Sequence, residues 1–248
     1  MWFDSTDAND RWAPAIKHLC KVDPVMRRII AATGPCTLRP RRDYFVVLCK
    51  SIFSQQISTT VAAVLFGRFR NLFPLRRPTP ARVIELVQNG PPDRLAGCGL
   101  SRQKQAYILD LARHFVDRKI PTARLQACDD EQIIQSLTQV KGIGRWTAEM
   151  FLIFVLNRTD LLPVDDLGLR KGVQLAYGLP DMPAADQLKT RAEIWRPYRS
   201  IATWYLWKQP KVIPGSTPTT AALARIRRDS KGGASHHQRK PRATSGRV

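Results

Sequence analysis

Apolar residues recur at intervals of three and four along nearly the whole chain, and no convincing run of strict alternation interrupts them. The pattern is clear at Pro24-Val-Met-Arg-Arg-Ile-Ile-Ala-Ala, where Asp23 is placed to cap a helix and Pro24 to open it. Asp43 stands in the same relation to a segment from Tyr44 to Ser54, and Ser58 to one over residues 59–69. Thr79-Pro80 opens a helix over 80–87 that Asn89-Gly90-Pro91-Pro92 stops. Ser101 starts another over 101–117, with Tyr107, Ile108, Leu111 and Phe115 at the spacing of one helix face. Asp129 and Asp130 precede Ile133, Ile134 and Leu137, and further helices are expected over 146–157, 166–177, 183–194 and 197–208. The pattern predicts an all-α fold of about ten helices joined by short loops.

Composition changes this picture at one place. From Gln209 onward Pro, Gly, Ser, Thr and basic residues dominate, so residues 209–248 cannot bury enough apolar surface to offset their ordering entropy. They are predicted to be a disordered basic tail behind a helical domain over 1–208, with 221–228 able to turn helical on contact with DNA. The charge balance sharpens the choice of partner. Lys and Arg number 40 against 20 Asp and Glu, a formal +20 that points to a polyanion, of which nucleic acid is the commonest. The tail carries nine basic residues against Asp229 alone, so the first 208 residues keep +12. Cys20, Cys36, Cys49, Cys98 and Cys128 are scattered without a Cys-x-x-Cys, which fits reduced thiols and argues against a disulfide scaffold or zinc site. No apolar run approaches the roughly 20 residues that span a bilayer, and no secretory signal is seen, so a soluble protein with no membrane partner is expected.

The densest chemistry lies in Leu137-Thr-Gln-Val-Lys-Gly-Ile-Gly-Arg-Trp-Thr-Ala-Glu-Met150. A helix ends near Val140, Gly142 and Gly144 flank Ile143, and a new helix begins at once. Two such glycines permit positive φ and clear side chains from the outer surface, so that backbone N–H groups and a helix N-terminus converge on an anion. Ile143 would plug the turn into the core, while Lys141 and Arg145 add charge toward neighbouring phosphates. Gly-x-Gly alone also suits an ordinary helix-to-helix turn. The fuller pattern Leu-x-x-Val-x-Gly-Ile-Gly-x-x-Thr-Ala resembles the helix–hairpin–helix motif of DNA-binding and repair proteins, placed here at about 133–157, with Lys141, Gly142, Ile143, Gly144, Arg145 and Thr147 as its DNA-binding residues.

Downstream, Leu161-Leu-Pro-Val-Asp-Asp-Leu-Gly-Leu-Arg-Lys-Gly172 puts two acids at a helix start, where either serves as a cap. Taken with the hairpin, this segment resembles the helix–hairpin–helix (HhH-GPD) DNA glycosylase superfamily, and within it the 3-methyladenine DNA glycosylase II branch. Ser54-Gln-Gln-Ile-Ser58, Gly99-Leu-Ser-Arg-Gln-Lys104 and Trp195-Arg-Pro-Tyr-Arg-Ser-Ile-Ala-Thr-Trp-Tyr-Leu-Trp207 carry the likeness further, over about 45–207. The resemblance implies two helical subdomains with the active-site cleft between them. It also implies the compact form without an N-terminal β domain, since the residues ahead of Tyr44 read helical. Asp166 then carries catalysis, and Asp165 builds the turn or caps the helix. Trp146 and Tyr198 correspond to aromatics lining the lesion pocket, Gln56 to the wedge that fills the vacated base stack, and Trp204 and Trp207 are read as core. Met150 stands where the family often has an aromatic residue, which leaves the base range open.

The chemistry implied is base-excision repair of alkylated purines of the 3-methyladenine and 7-methylguanine class in damaged double-stranded DNA. Such bases already carry positive charge, so one carboxylate that stabilises an oxocarbenium-like sugar and directs water suffices. Strand-cleaving relatives use a lysine after the hairpin for a Schiff base; that position here is Trp146, so no lyase activity is expected. No cofactor and no catalytic metal are implied, and the chain lacks the four-cysteine iron–sulfur signature. His18 and His114 read as structural or surface residues. The protein is expected to act as a monomer, cytoplasmic and nucleoid-associated in a bacterium or nuclear in a eukaryote. A glycosylase for another damaged base and a non-catalytic helix–hairpin–helix DNA-binding protein remain as alternatives.

Overall fold

The computed structural model describes residues 11–90 and 94–208; the basic tail falls outside them. Among the described residues there is no strand. The described residues form eleven α-helices in order: α1 (Ala13–Val22), α2 (Pro24–Thr33), α3 (Tyr44–Ser54), α4 (Thr59–Asn71), α5 (Pro80–Asn89), α6 (Arg102–Val116), α7 (Asp130–Thr138), α8 (Arg145–Phe151), α9 (Leu167–Tyr177), α10 (Ala185–Ala192) and α11 (Arg199–Lys208).

Most starts are set by the side chains the sequence offered. Asp23, Ser58, Thr79 and Ser101 each accept a first-turn amide, and Asp129 forms a capping box with Gln132. Asp43 is an exception. It precedes α3 as expected, but both its oxygens are taken by Arg41, at 2.9 and 2.6 Å, and it makes no cap bond. The helix expected over 146–157 is also not uniform. α8 ends at Phe151 and passes into a π-helical turn over Leu152–Leu156, closed by Asn157 in the left-handed conformation.

The helices divide between two hydrophobic cores, which form two helical subdomains with a cleft between them. The first core gathers Phe45, Ile52 and Phe53 of α3, Phe66 and Phe69 of α4, Ile108 and Leu111 of α6, Ile133 and Leu137 of α7, and Ile143 of the hairpin. The second gathers Leu19 of α1, Met26 and Ile29 of α2, Val173 of α9, Leu188 of α10, Trp195, and Ile201 and Tyr205 of α11. Each such side chain, fully buried, contributes about 1.5–3 kcal/mol. The segment from α8 through its π turn belongs to both: Leu152 and Val155 face the first core, Ile153 the second. The second helix of the hairpin is therefore the shared wall, and residues on its remaining face look into the cleft.

One buried carboxylate ties the second subdomain together. Asp23, 2% exposed, caps α2 through the Val25 and Met26 amides, at 2.8 and 3.1 Å. Its other oxygen accepts from the Tyr177 hydroxyl and from Trp195 Nε1 at 2.8 Å. Helices α2 and α9 and the turn before α11 thus share one polar anchor.

Candidate active site and nucleic-acid interface

The segment Pro163-Val-Asp-Asp166 closes a turn, with the Asp166 amide bonded to the Pro163 carbonyl at 3.0 Å, and delivers Asp166 to the N-cap of α9. Only the second acid reaches the cap position. Asp166 Oδ1 accepts the Leu169 amide at 2.5 Å, while Asp165 points outward, exposed, and makes no cap bond. The capping role expected of Asp165 is therefore filled by Asp166 itself, since the turn places its carboxylate three residues ahead of the free amide.

Two indoles complete the carboxylate's surroundings. Trp146 Nε1 donates to Oδ2 at 2.6 Å, and Trp207 Nε1 donates to Oδ1 at 2.8 Å. Three N–H donors and the positive end of an 11-residue helix converge on a side chain that is 7% exposed. Trp146 is 51% exposed, so its ring is open to the cleft. Trp146, Met150 and Phe154 lie at i, i+4 and i+8 along the wall, and Phe154 stacks flat on Trp207 with centroids 5.4 Å apart and planes at 13°. The carboxylate is thus bordered by two aromatic rings.

Two aromatic assignments change places here. Trp204, 5% exposed, is core as expected, whereas Trp207 is only partly buried against the second core and uses its indole N–H to hold the carboxylate. Tyr198 packs against His18 of α1 with the rings tilted by 59° and centroids 5.6 Å apart, just ahead of the start of α11. Nine residues separate it from Trp207, about 13 Å along a helix axis, so the structure does not bring Tyr198 to Asp166. A signal for Trp207 does exist in the sequence. Gly168 follows Asp166 by two positions, and a Cβ there would lie 3.1 Å from Asp166 Oδ1 and 3.2 Å from Trp207 Nε1. A glycine just past the acid marks the close approach of something large.

At the hairpin the two glycines do different work. Gly142 takes φ +81°, and its missing side chain faces inward: a Cβ would fall 2.1 Å from the Tyr107 ring. Gly144 has extended backbone, caps α8, and a Cβ on it would meet nothing within 4 Å. Only Gly144 clears the outer surface as expected, because Gly142 is pressed against α6. Ile143 is 3% exposed in the first core. Ala148 is bonded to the Gly144 carbonyl at 3.1 Å, so the amides ahead of it lie in the open first turn. Lys141 is exposed, with its amide fixed by Asp110 Oδ2 at 2.8 Å. Arg145 is held by Glu131 at 3.0 Å through both Nη atoms and by Glu149 at 3.2 Å. Thr147 is 8% exposed, so its side chain is withdrawn from the surface. Burial pushes the Glu149 carboxyl above its ordinary value of 4.5; Arg145 opposes this, and Asp165 and Asp166 add to it.

Gln56 projects, exposed, from the α3–α4 turn with φ +59°. Its loop is fastened from two sides. Lys104 Nζ donates to the carbonyls of Phe53 and Gln55, at 2.9 and 2.7 Å, and burial lowers the Lys104 pKa. Gln55 Nε2 donates to the Gly142 carbonyl at 2.7 Å. Gln55 and Lys104 lie in stretches already noted in the sequence, but their positioning roles appear only once the hairpin and the Gln56 loop are seen as one ridge.

A profile of HhH-GPD superfamily base excision DNA repair proteins matches residues 49–197, more than half of the chain. The chain belongs to the HhH-GPD superfamily. DNA-3-methyladenine glycosylase 1 of Schizosaccharomyces pombe is 33% identical over 206 residues, covering 81% of this chain and 89% of the relative. The S. pombe 3-methyladenine DNA glycosylase Mag1, solved in complex with abasic DNA, matches with a TM-score of 0.68 at 34% identity, over 79% of this chain and 96% of that one. A DNA-3-methyladenine glycosidase from Bacillus halodurans matches with a TM-score of 0.70 at 30% identity, over 83% and 90% of the two chains. The superfamily's helix–hairpin–helix corresponds here to α7, the glycine turn and α8. Trp207 lies past the matched segment and yet packs on the carboxylate inside it.

Proposed function

We propose that this HhH-GPD chain is a monofunctional DNA glycosylase that hydrolyses the N-glycosidic bond of alkylated purines in double-stranded DNA and leaves an abasic site. The single observation that carries the reading is Asp166, held between the Trp146 and Trp207 indole N–H groups at a helix N-terminus behind the hairpin. The bacterial and yeast relatives named for 3-methyladenine support the substrate class.

In this mechanism the target base leaves the duplex and enters the cleft beside Trp146 and Trp207. A purine methylated at N3 or N7 carries positive charge, and stacking on electron-rich rings favours it by about 0.5–2 kcal/mol. The C1′–N bond breaks with its electron pair going to the base, which departs neutral. The sugar becomes oxocarbenium-like, and the fixed Asp166 carboxylate stabilises that charge. Water then adds to C1′, with Asp166 orienting it and taking its proton. With Trp146 at the position of a Schiff-base lysine, the strand is left uncut. Gln56 fills the vacated stack. Gly144 and the first-turn amides of α8 grip a backbone phosphate, with Lys141 beside them, and Arg145 joins by exchanging an acid for a phosphate. The chain acts as a monomer.

Incubation with a duplex bearing 7-methylguanine or 3-methyladenine, followed by alkali to reveal abasic sites, tests the reading. The expected result is alkali-dependent cleavage at the methylated base and none without alkali. Release of 8-oxoguanine or uracil in preference to methylated purines would overturn the substrate class.

A further inference from the structure

A cavity of about 350 Å³ lies between α3, α4 and the turn over Pro74–Arg76, away from the cleft and the hairpin. Arg41, Lys50, Arg70 and Arg76 line it, against Asp43 alone. That one carboxylate is already held by Arg41 through two bonds. Arg70 donates Nε to the Arg76 carbonyl at 2.9 Å, a contact that cancels no charge. Among the described residues neither Lys50 nor Arg76 has a carboxylate partner. A concavity thus holds a net charge of three cations, and its low-dielectric walls focus their potential.

Such a cluster repels itself, and the backbone around it bears strain besides. Leu75 and Arg76 both adopt left-handed conformations, φ 54° and 56°, which cost branched or bulky residues about 1–3 kcal/mol each. Leu75 is 85% exposed and packs against nothing that would repay the turn. What the turn achieves is to bring Arg76 to the cavity. Gly67 lines the same cavity, and a Cβ added there would meet nothing within 4 Å. A helix interior ordinarily disfavours glycine by about 1 kcal/mol relative to alanine, and here its effect is to leave room.

We propose that this cavity binds neighbouring phosphate groups, as a second anion site distinct from the hairpin. The chemistry matches either a free oligophosphate or the backbone of a DNA strand running past the first subdomain. Gly67 lies eight residues along α4 from Thr59, near Gln56, which is about 12 Å of helix and so about three or four phosphates along one strand from the point where the duplex is opened. The site is independent of Asp166 and of whichever base is excised.

Gly67→Glu fills the cavity and adds a negative charge, at a helical position with open space and a better helix former. The test is calorimetric titration of the full chain with pyrophosphate at low salt, alongside binding of an undamaged duplex across a salt series. The wild type is expected to take up pyrophosphate saturably, and Gly67→Glu to weaken that at least tenfold. If a DNA strand is the natural occupant, the variant's log–log salt slope also falls by about one to two, while single-turnover base release at saturating enzyme is unchanged. An altered pyrophosphate affinity with an unaltered duplex slope assigns the site to free oligophosphate. If Gly67→Glu does not fold, Lys50→Gln with Arg76→Gln replaces it. Equal pyrophosphate binding and equal salt slopes in wild type and variant overturn the proposal.

Discussion

Gly168→Ala separates catalytic positioning from stability. The added Cβ lies 3.1 Å from Asp166 Oδ1, 3.2 Å from Trp207 Nε1 and 3.4 Å from Trp207 Cδ1, a few tenths of an ångström inside ordinary contact. None of these neighbours is the loose end of a flexible chain. Asp166 is tied by three bonds and Trp207 lies flat on Phe154, so relief comes from stretching the 2.8 Å bond between them. A hydrogen bond to a charged group contributes about 1.5–3 kcal/mol, and losing roughly its lower value slows base release on the order of tenfold. A displaced carboxylate also sits less well for the sugar. Stability changes far less, because the preference of a helix for alanine over glycine, at most about 1 kcal/mol, offsets most of the weakened bond and leaves a net shift within ~2–4 °C in Tm for a chain this size. The assay is single-turnover excision from an alkylated duplex at saturating enzyme, with Tm and DNA affinity measured on the same preparation. Wild-type rates in the variant would refute the positioning argument. A rate loss that merely tracks a lower Tm would refute it equally.

Three further outcomes are expected. Burial holds the Glu149 carboxyl above its ordinary 4.5, so the folded state keeps a proton that the unfolded chain releases, and stability falls as pH rises from about 4.5 through the raised value. Glu149→Gln should therefore gain stability relative to wild type over that rise, and parallel urea-unfolding curves at each pH would contradict it. Asp23→Ala strands the Trp195 N–H and the Tyr177 hydroxyl and removes the α2 cap, and should cost about 3 kcal/mol or more in urea unfolding; a loss under 1 kcal/mol would show that these groups find other partners. Truncation after Gln209 removes nine basic residues and should flatten the salt dependence of duplex binding while sparing single-turnover chemistry; an unchanged slope would mean that the tail does not touch DNA.

Local signals made most of the fold legible. Asp23, Ser58, Thr79, Ser101 and Asp129 cap where the sequence places them, because a cap is decided within three residues. Asp43 failed as a cap because a guanidinium two residues away competes better for its carboxylate than a backbone amide does. The bond between Trp146 and Asp166 joins two stretches that the sequence had singled out, whereas contacts between more distant elements were not legible. Periodicity puts both Tyr198 and Trp207 on the helix expected over 197–208 but does not say which end of that helix reaches α9. The capture of Arg145 by Glu131, fourteen residues back across the hairpin, and the contact of Gly142 with Tyr107 belong to the same class. Such contacts depend on how helices pack, and single-chain patterns carry that information only indirectly, as in the glycine at position 168.

In the proposed reaction Asp166 performs chemistry as well as capping α9. Asn caps a helix about as well as Asp, so Asp166→Asn keeps the bond to the Leu169 amide and the fold while removing the negative charge beside the sugar. Measured on a 7-methylguanine duplex under single turnover, the variant should bind DNA as the wild type does and release base at least a hundredfold more slowly. Equal rates with equal binding would contradict the account and reduce Asp166 to a helix cap.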